Sequence, residues 1–234
     1  GMDVTLLGPL PTPGVSYLAN SNNQVGLVIS ASHNLFEDNG IKFFNKNGQK
    51  FSEELEKRIE VKLTEEMVPV DSINLGKATR MSDAQERYIE FCKLPFTDLD
   101  LSDLNILLDC ANGATYSVAP KVFTELGANI ETVAANPDGI NINQNCGSTN
   151  PDFLKDQMSK GNYDMGIAFD GDGDRILIIS SEGNILDGDD ILFILSQKLP
   201  PNSGVVGTLM TNKALELHFK ENNIDFHRAD VGAV

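Results

Sequence analysis

Basic residues are scarce in this sequence: 18 lysines and arginines stand against 34 aspartates and glutamates, a formal net charge of −16. Nucleic acid and anionic membranes need a positive footprint on their partner, so both are disfavoured. Small phosphorylated molecules stay open, because a few local cations suffice to hold them. Cysteine is scarce too. Cys92, Cys110 and Cys146 are widely spaced and form no CxxC pair. That leaves no basis for a disulfide framework or a zinc site and points to a reducing, cytoplasmic setting. No apolar run approaches the roughly 18 residues that a membrane span needs, and the opening residues show no signal-peptide pattern. Gly1-Met2 sets a glycine before a methionine of initiator type, the pattern that tag cleavage leaves.

What is present is ordinary globular composition, 41% hydrophobic and 22% charged over 234 residues, enough for one large domain or two smaller ones. The most informative stretch is Asp170-Gly171-Asp172-Gly173-Asp174-Arg175. Short apolar runs rich in β-branched or aromatic residues, Met165 to Phe169 and Ile176 to Ile179, flank it and read as buried strands. Glycine at alternate positions lets the backbone turn so that three carboxylates face one centre. Like charges about 4 Å apart repel by roughly 4 kcal/mol per pair at an effective dielectric near 20, so the cluster calls for a cation. Oxygen-only ligands favour Mg²⁺ or Ca²⁺. A solvated acidic turn is the plain alternative. A calcium-binding helix-loop-helix site is not: Arg175 stands where its glycine belongs, Ser181 where its closing Glu belongs, and the flanks read as strands.

Along the chain, strands are expected at Val4 to Leu7, Gln24 to Ile29 (buried) and Ile41 to Phe44, with a brief helix over Gly14 to Ala19. Ser30-Ala31-Ser32-His33-Asn34 follows a core strand, at the sheet edge where α/β proteins hold ligands. Asn47-Gly48 marks a hairpin-type turn. Ser52 is placed to cap a helix opening with Glu53 and Glu54, with Leu55, Ile59 and Leu63 on one face. A second helix runs over Asp83 to Leu94. Beyond a linker at Pro95 to Ser102, strands (Leu104 to Leu108, Ile130 to Ala134, Met165 to Phe169) alternate with helices (Val118 to Leu126, Pro151 to Lys160, Asp187 to Lys198). That alternation predicts an α/β sheet with parallel content. After Pro200 to Gly204, a strand (Val205 to Met210), a helix (Lys213 to Glu221) and a strand (Ile224 to His227) begin a third unit. The domain expectation is 1–98, 99–200 and 201–234, the last incomplete.

The serine loop Ser30 to Asn34 and the acidic loop Asp170 to Arg175, in this order and separation, resemble the α-D-phosphohexomutase superfamily. The stretches Asn39 to Phe44, Asp109 to Thr115, Gly139 to Asn143, Cys146 to Thr149 and Val206 to Met210 extend the resemblance over almost the whole chain, most closely to its branch acting on glucosamine phosphates. The resemblance implies repeated mixed-sheet α/β domains with Ser32 as the phosphorylated serine. It also implies Mg²⁺ held by Asp170, Asp172, Asp174 and an oxygen of the Ser32 phosphate. His33 and Lys42 match groups around that serine, Lys42 as a candidate acid/base. Asn34 and Arg175 match phosphate-binding positions. The substrate implied is a hexosamine phosphate, and members often form homodimers.

Plainer readings accompany these. His33 also reads as a surface loop residue, Lys42 as a solvated strand lysine, Arg175 as a counter-ion to the aspartates, and Asn141 to Thr149 as a structural loop. A sister enzyme for glucose or mannose phosphates and a non-catalytic Mg²⁺-binding module are the alternative functions. Leu35 departs from the family's usual proline. The resemblance expects a glycine-arginine motif before Gly1, and a Glu-x-Ser-x-His loop and a fourth, phosphate-binding domain after Val234. The family's Val-Gly-Asp-Arg-Tyr is matched only by Val231-Gly232-Ala233-Val234. A chain lacking those parts is expected to be inactive as a mutase.

Overall fold

The computed structural model describes residues 1–200 and 203–230. Part of the linker after Pro200 and the terminal Val231 to Val234 lie outside the described residues. The predicted α/β class is what the chain adopts, in three successive units.

In the first unit, β1 (Val4–Leu6) pairs in parallel with β4 (Ala78–Arg80), and β2 (Gly26–Ser30) pairs antiparallel with β3 (Gly40–Phe44). Helix α1 (Thr12–Ser21) is longer than the brief helix expected: Pro11 and Pro13 preset its opening φ, and Asn22 and Asn23 end it. Val15, Leu18 and Ala19 of α1 pack with Val28, Phe44 and, from α3 (Ala84–Lys93), Tyr88 and Ile89.

One expectation needs correction here. β2 is buried on one face only: Val28 is buried while Leu27 and Ile29 are 52% and 69% exposed. Side chains alternate across a strand, and among the described residues α1 and α3 cover a single face. Helix α2 (Glu53–Leu63) starts where Ser52 accepts from the Leu55 N–H, as expected, yet it buries none of its residues. Leu63 is 76% exposed.

The second unit is a five-stranded mixed sheet in the order β6-β5-β7-β8-β9. Central β5 (Asn105–Asp109) runs parallel to β6 (Asn129–Val133) and β7 (Met165–Phe169), while β8 (Ile176–Ser180) and the short β9 (Ile185–Leu186) continue antiparallel. Alternation along β5 divides its apolar run between two helices. Ile106 and Leu108 face α4 (Val118–Glu125) through Ala119, and Leu107 faces α5 (Pro151–Met158) through the fully buried Leu154. Both faces are covered, so β5 carries no polar residue between Ile106 and Leu108.

The first two units share a core. Val118 and Val122 of α4 reach into the cluster around Tyr88, and Lys93 pairs with Glu125 at 2.5 Å. In the third unit, α6 (Gly188–Ser196) begins with a capping box between Asp187 and Asp190. The parallel pair β10 (Gly204–Thr208) and β11 (Asp225–Ala229) is joined by α7 (Lys213–Glu221), whose Phe219 is fully buried. Among the described residues no helix is long and apolar enough to cross a membrane.

Burial predicts how these helices answer to truncation. Leu154→Ala leaves a cavity in a closed core and is expected to cost about 2–5 kcal/mol, while Leu63→Ala on the exposed α2 face is expected to stay within about 0.5 kcal/mol. Urea unfolding of both variants checks this, and similar losses would refute the packing described.

Candidate active site

Two loops leave their sheets and meet. The acidic loop connects the antiparallel strands β7 and β8. Asp170, fully buried, turns one carboxylate oxygen to the backbone: Oδ1 accepts from the N–H groups of Asp174 and Arg175, both at 3.1 Å. Gly173, at φ +71°, closes the turn by donating to the Asp170 carbonyl. Asp172 is 2% exposed and accepts from Thr12 Oγ1 at 2.5 Å and Lys42 Nζ at 2.6 Å. Lys42 also reaches Asp174 at 3.0 Å. One oxygen from each of the three aspartates lies within 4.8 Å of the others.

The serine loop leaves β2 at Ser30. Ser32 adopts φ +52°, a left-handed conformation that costs a non-glycine residue roughly 1–2 kcal/mol. Its N–H donates to Ser30 Oγ at 2.9 Å, and the Asn34 N–H donates to the Ala31 carbonyl. The loops then bond across: Gly171 N–H donates to the Ser32 carbonyl at 3.1 Å, which sets Ser32 Oγ 3.4 Å from Asp170 Oδ2. This close approach demands glycine. A Cβ at Gly171 would strike the Ser32 carbonyl oxygen and Ile142, and one at Gly113 would strike the Gly171 backbone.

Crowding shows in the electrostatics. Burial and the neighbouring charges of Asp172 and Asp174 push the Asp170 carboxyl up to about 6. Burial pushes Asp172 the same way, but donation from Lys42 and Thr12 outweighs it and holds that carboxyl below its ordinary value. Burial lowers Lys42, and its two carboxylate partners more than reverse this, so its ammonium holds its proton more firmly than a free lysine. One ammonium leaves two of three negative charges uncompensated. Asp172 Oδ1 is also buried without a hydrogen-bond partner. An oxygen donor set with an orphaned oxygen and an excess of two charges fits a hard divalent cation.

Comparison with known proteins agrees with this geometry. Models of the phosphoglucomutase/phosphomannomutase alpha/beta/alpha domains I, II and III match residues 1–68, 86–183 and 187–234. The chain belongs to the phosphoglucomutase/phosphomannomutase family. It is 51% identical to phosphoglucosamine mutase of Legionella pneumophila (strain Corby) over 99% of its length and 52% of that protein. It is 50% identical to phosphoglucosamine mutase of Pseudoalteromonas translucida, again over 99% of its length and 53% of that protein. The chain spans about half the length of these curated relatives. Among solved structures it resembles a phosphoglucomutase/phosphomannomutase family protein from Burkholderia thailandensis (TM-score 0.75, 24% identity, 99% of this chain and 52% of that one). It also resembles parafusin from Paramecium (TM-score 0.73, 18% identity, 99% and 50%).

Within this family member, Ser32, Lys42, Asp170, Asp172 and Asp174 come together as one cluster. His33 is half-buried, with Nδ1 enclosed and unpartnered. Asn34 is exposed and meets the cluster's surroundings through its carbonyl, which accepts from Asn143 at 2.7 Å. The counter-ion reading of Arg175 is not borne out among the described residues: its side chain is exposed and pairs with no carboxylate, and only its backbone N–H engages Asp170. The solvated-lysine reading of Lys42 gives way to a double ion pair.

Three residues have no role in the sequence reading: Thr12, Asp109 and Asn143. Asp109 and Asn143 stand in stretches that carry the family resemblance, but nothing local marks any of the three as part of the site. Asp109 is fully buried at the end of β5. Its carboxylate accepts from Ala111 and Gly147 N–H groups, and burial pushes it up to about 6 against those donors.

A cation here must displace the Asp170 proton. Below about pH 6 the apparent affinity for titrated Mg²⁺ is expected to fall about tenfold per pH unit, and above it to level off. Isothermal titration calorimetry between pH 5 and 8 reads this, and a flat profile would contradict the assignment.

Proposed function

We propose that this chain is part of a phosphoglucosamine mutase, interconverting glucosamine 6-phosphate and glucosamine 1-phosphate. The observation that carries the reading is the Ser32 hydroxyl set against the Asp170, Asp172 and Asp174 cluster, in a chain about 50% identical to phosphoglucosamine mutases. Ser32 is the phosphoryl carrier. As phosphoserine it transfers its phosphoryl group to O1 of glucosamine 6-phosphate, giving the 1,6-bisphosphate. The bisphosphate then returns its 6-phosphoryl group to Ser32 and leaves as glucosamine 1-phosphate.

Phosphoserine carries about −1.5 to −2 charges near neutral pH, so beside three aspartates it needs a counter-charge. Asp170, Asp172 and Asp174 are the residues that would hold Mg²⁺, which neutralises charge on the transferred group. Lys42 is the candidate acid/base: its ammonium gives a proton to the departing Ser32 oxygen in the first transfer while the O1 proton leaves to water, and its amine takes the Ser32 proton back in the second while O6 takes one from water. Arg175, exposed at the rim, is free to clamp phosphate oxygens. Asn34 borders the phosphate position and His33 lines the serine loop as a further catalytic candidate.

The first unit carries the serine loop and the second the acidic loop, and the third domain opens with α6 and not at residue 201, since Leu192 packs with Val205, Leu215 and Phe219. All three cysteines are unpaired, as suits a cytoplasmic enzyme. A homodimer is the assembly the family resemblance suggests.

The test is intact mass spectrometry of the chain with glucosamine 1,6-bisphosphate and Mg²⁺. One phosphoryl group mapping to Ser32, and none in Ser32→Ala, is the expected result. Transfer from glucose or mannose 1,6-bisphosphate at a higher rate would replace the glucosamine assignment with a sister activity.

A further inference from the structure

The loop from Asn141 to Thr149 belongs to the second unit, yet it reaches the serine loop of the first. Asn143 is 7% exposed and sits at φ +56°. Its backbone N–H donates to the Ala111 carbonyl at 2.9 Å. Its side-chain amide donates to two carbonyls of the serine loop, Ser32 at 2.8 Å and Asn34 at 2.7 Å. One planar NH₂ group thereby brackets His33 and holds the carbonyls on either side of it.

The bracket is anchored to the sheet of the second unit. Asp109 at the end of β5 accepts from Ala111 N–H at 2.9 Å and Gly147 N–H at 2.6 Å, and Ser148 N–H donates to the Phe169 carbonyl at the end of β7 at 2.8 Å. Ala111, Asn112, Asn145 and Gly147 all have positive φ. This is a run of backbone that only a dense set of bonds would hold in place.

We infer that Asn143 is a positioning residue: its amide fixes the left-handed turn at Ser32 and so points the hydroxyl at the carboxylate cluster. The role in catalysis rests on Ser32 being the phosphoryl carrier; the bracket itself does not. Two hydrogens at fixed angle are required, which an amide supplies and a carboxylate or hydroxyl does not.

Asn143→Asp keeps the side-chain shape and tolerates the left-handed backbone but removes both donors. Asn143→Gly suits the same φ and removes the side chain without adding charge. In both variants, amide hydrogen exchange in the serine loop, Ala31 to Leu35, is expected to accelerate about tenfold or more, while exchange in β5 and β7 stays at the wild-type rate. Mg²⁺ affinity by calorimetry is expected to change by less than about threefold in Asn143→Gly, since the aspartates remain. Phosphoryl uptake at Ser32 is expected to slow about tenfold to a hundredfold, the scale of a misplaced reacting group.

Unchanged serine-loop exchange in both variants would overturn the inference. So would equal acceleration in β5 and β7, which would make Asn143 a general support of the fold. If wild-type Ser32 accepts no phosphoryl group, this half of the relatives' length does not suffice for the half-reaction and the mutase reading rests on the resemblance alone, while the exchange comparison still decides for or against the bracket.

Discussion

Three carboxylates held within 4.8 Å of one another are the constraint on which the site depends. Such a cluster survives only if its charge is answered, and the fold answers it in several ways. Lys42 supplies a cation from β3, Thr12 a hydroxyl donor from the start of α1, and the loop's own backbone two N–H groups to Asp170. The charge left over is what fits the loop to a hard divalent cation. A phosphorylated Ser32 at this distance would raise the demand further.

The same charges dictate the architecture around them. Lys42 can reach Asp172 only because β3 pairs with β2 antiparallel, putting Lys42 opposite Val28 on the strand that delivers the serine loop. The acidic loop reaches the serine loop only because the first two units share a core, through Tyr88 and Ile89 of α3 and Val118 of α4. Apolar packing at that joint therefore sets a polar distance in the site. Core packing transmits small displacements, so residues with no polar atom near the cluster still govern the Ser32 to Asp170 separation.

Local pattern made much of this legible. The acidic loop announced itself by alternating glycines and aspartates between two apolar runs, and β7 and β8 lie where those runs are. The capping signal at Ser52 marks a real helix start, because a cap bonds within its own first turn. Burial was less legible. Leu55, Ile59 and Leu63 have helical spacing, yet the spacing says only that they share a face, and what covers that face is decided elsewhere. β2 reads as a fully buried strand by composition, but its second face is open among the described residues.

By itself the sequence determined the chemistry available: a serine, three aspartates and a lysine, in short segments whose glycines and β-branched runs permit one kind of turn. Tertiary structure alone decided which of these meet. Asp109 and Asn143 are the clearest cases. Both stand in stretches that carry the family resemblance, yet no local pattern gives them a role, because the distant partners, Gly147 in one case and Ser32 and Asn34 in the other, lie 38 to 111 residues away. Hydrogen bonds over such separations come from the order of strands in a sheet and the packing of helices between units. No local window of residues contains that information.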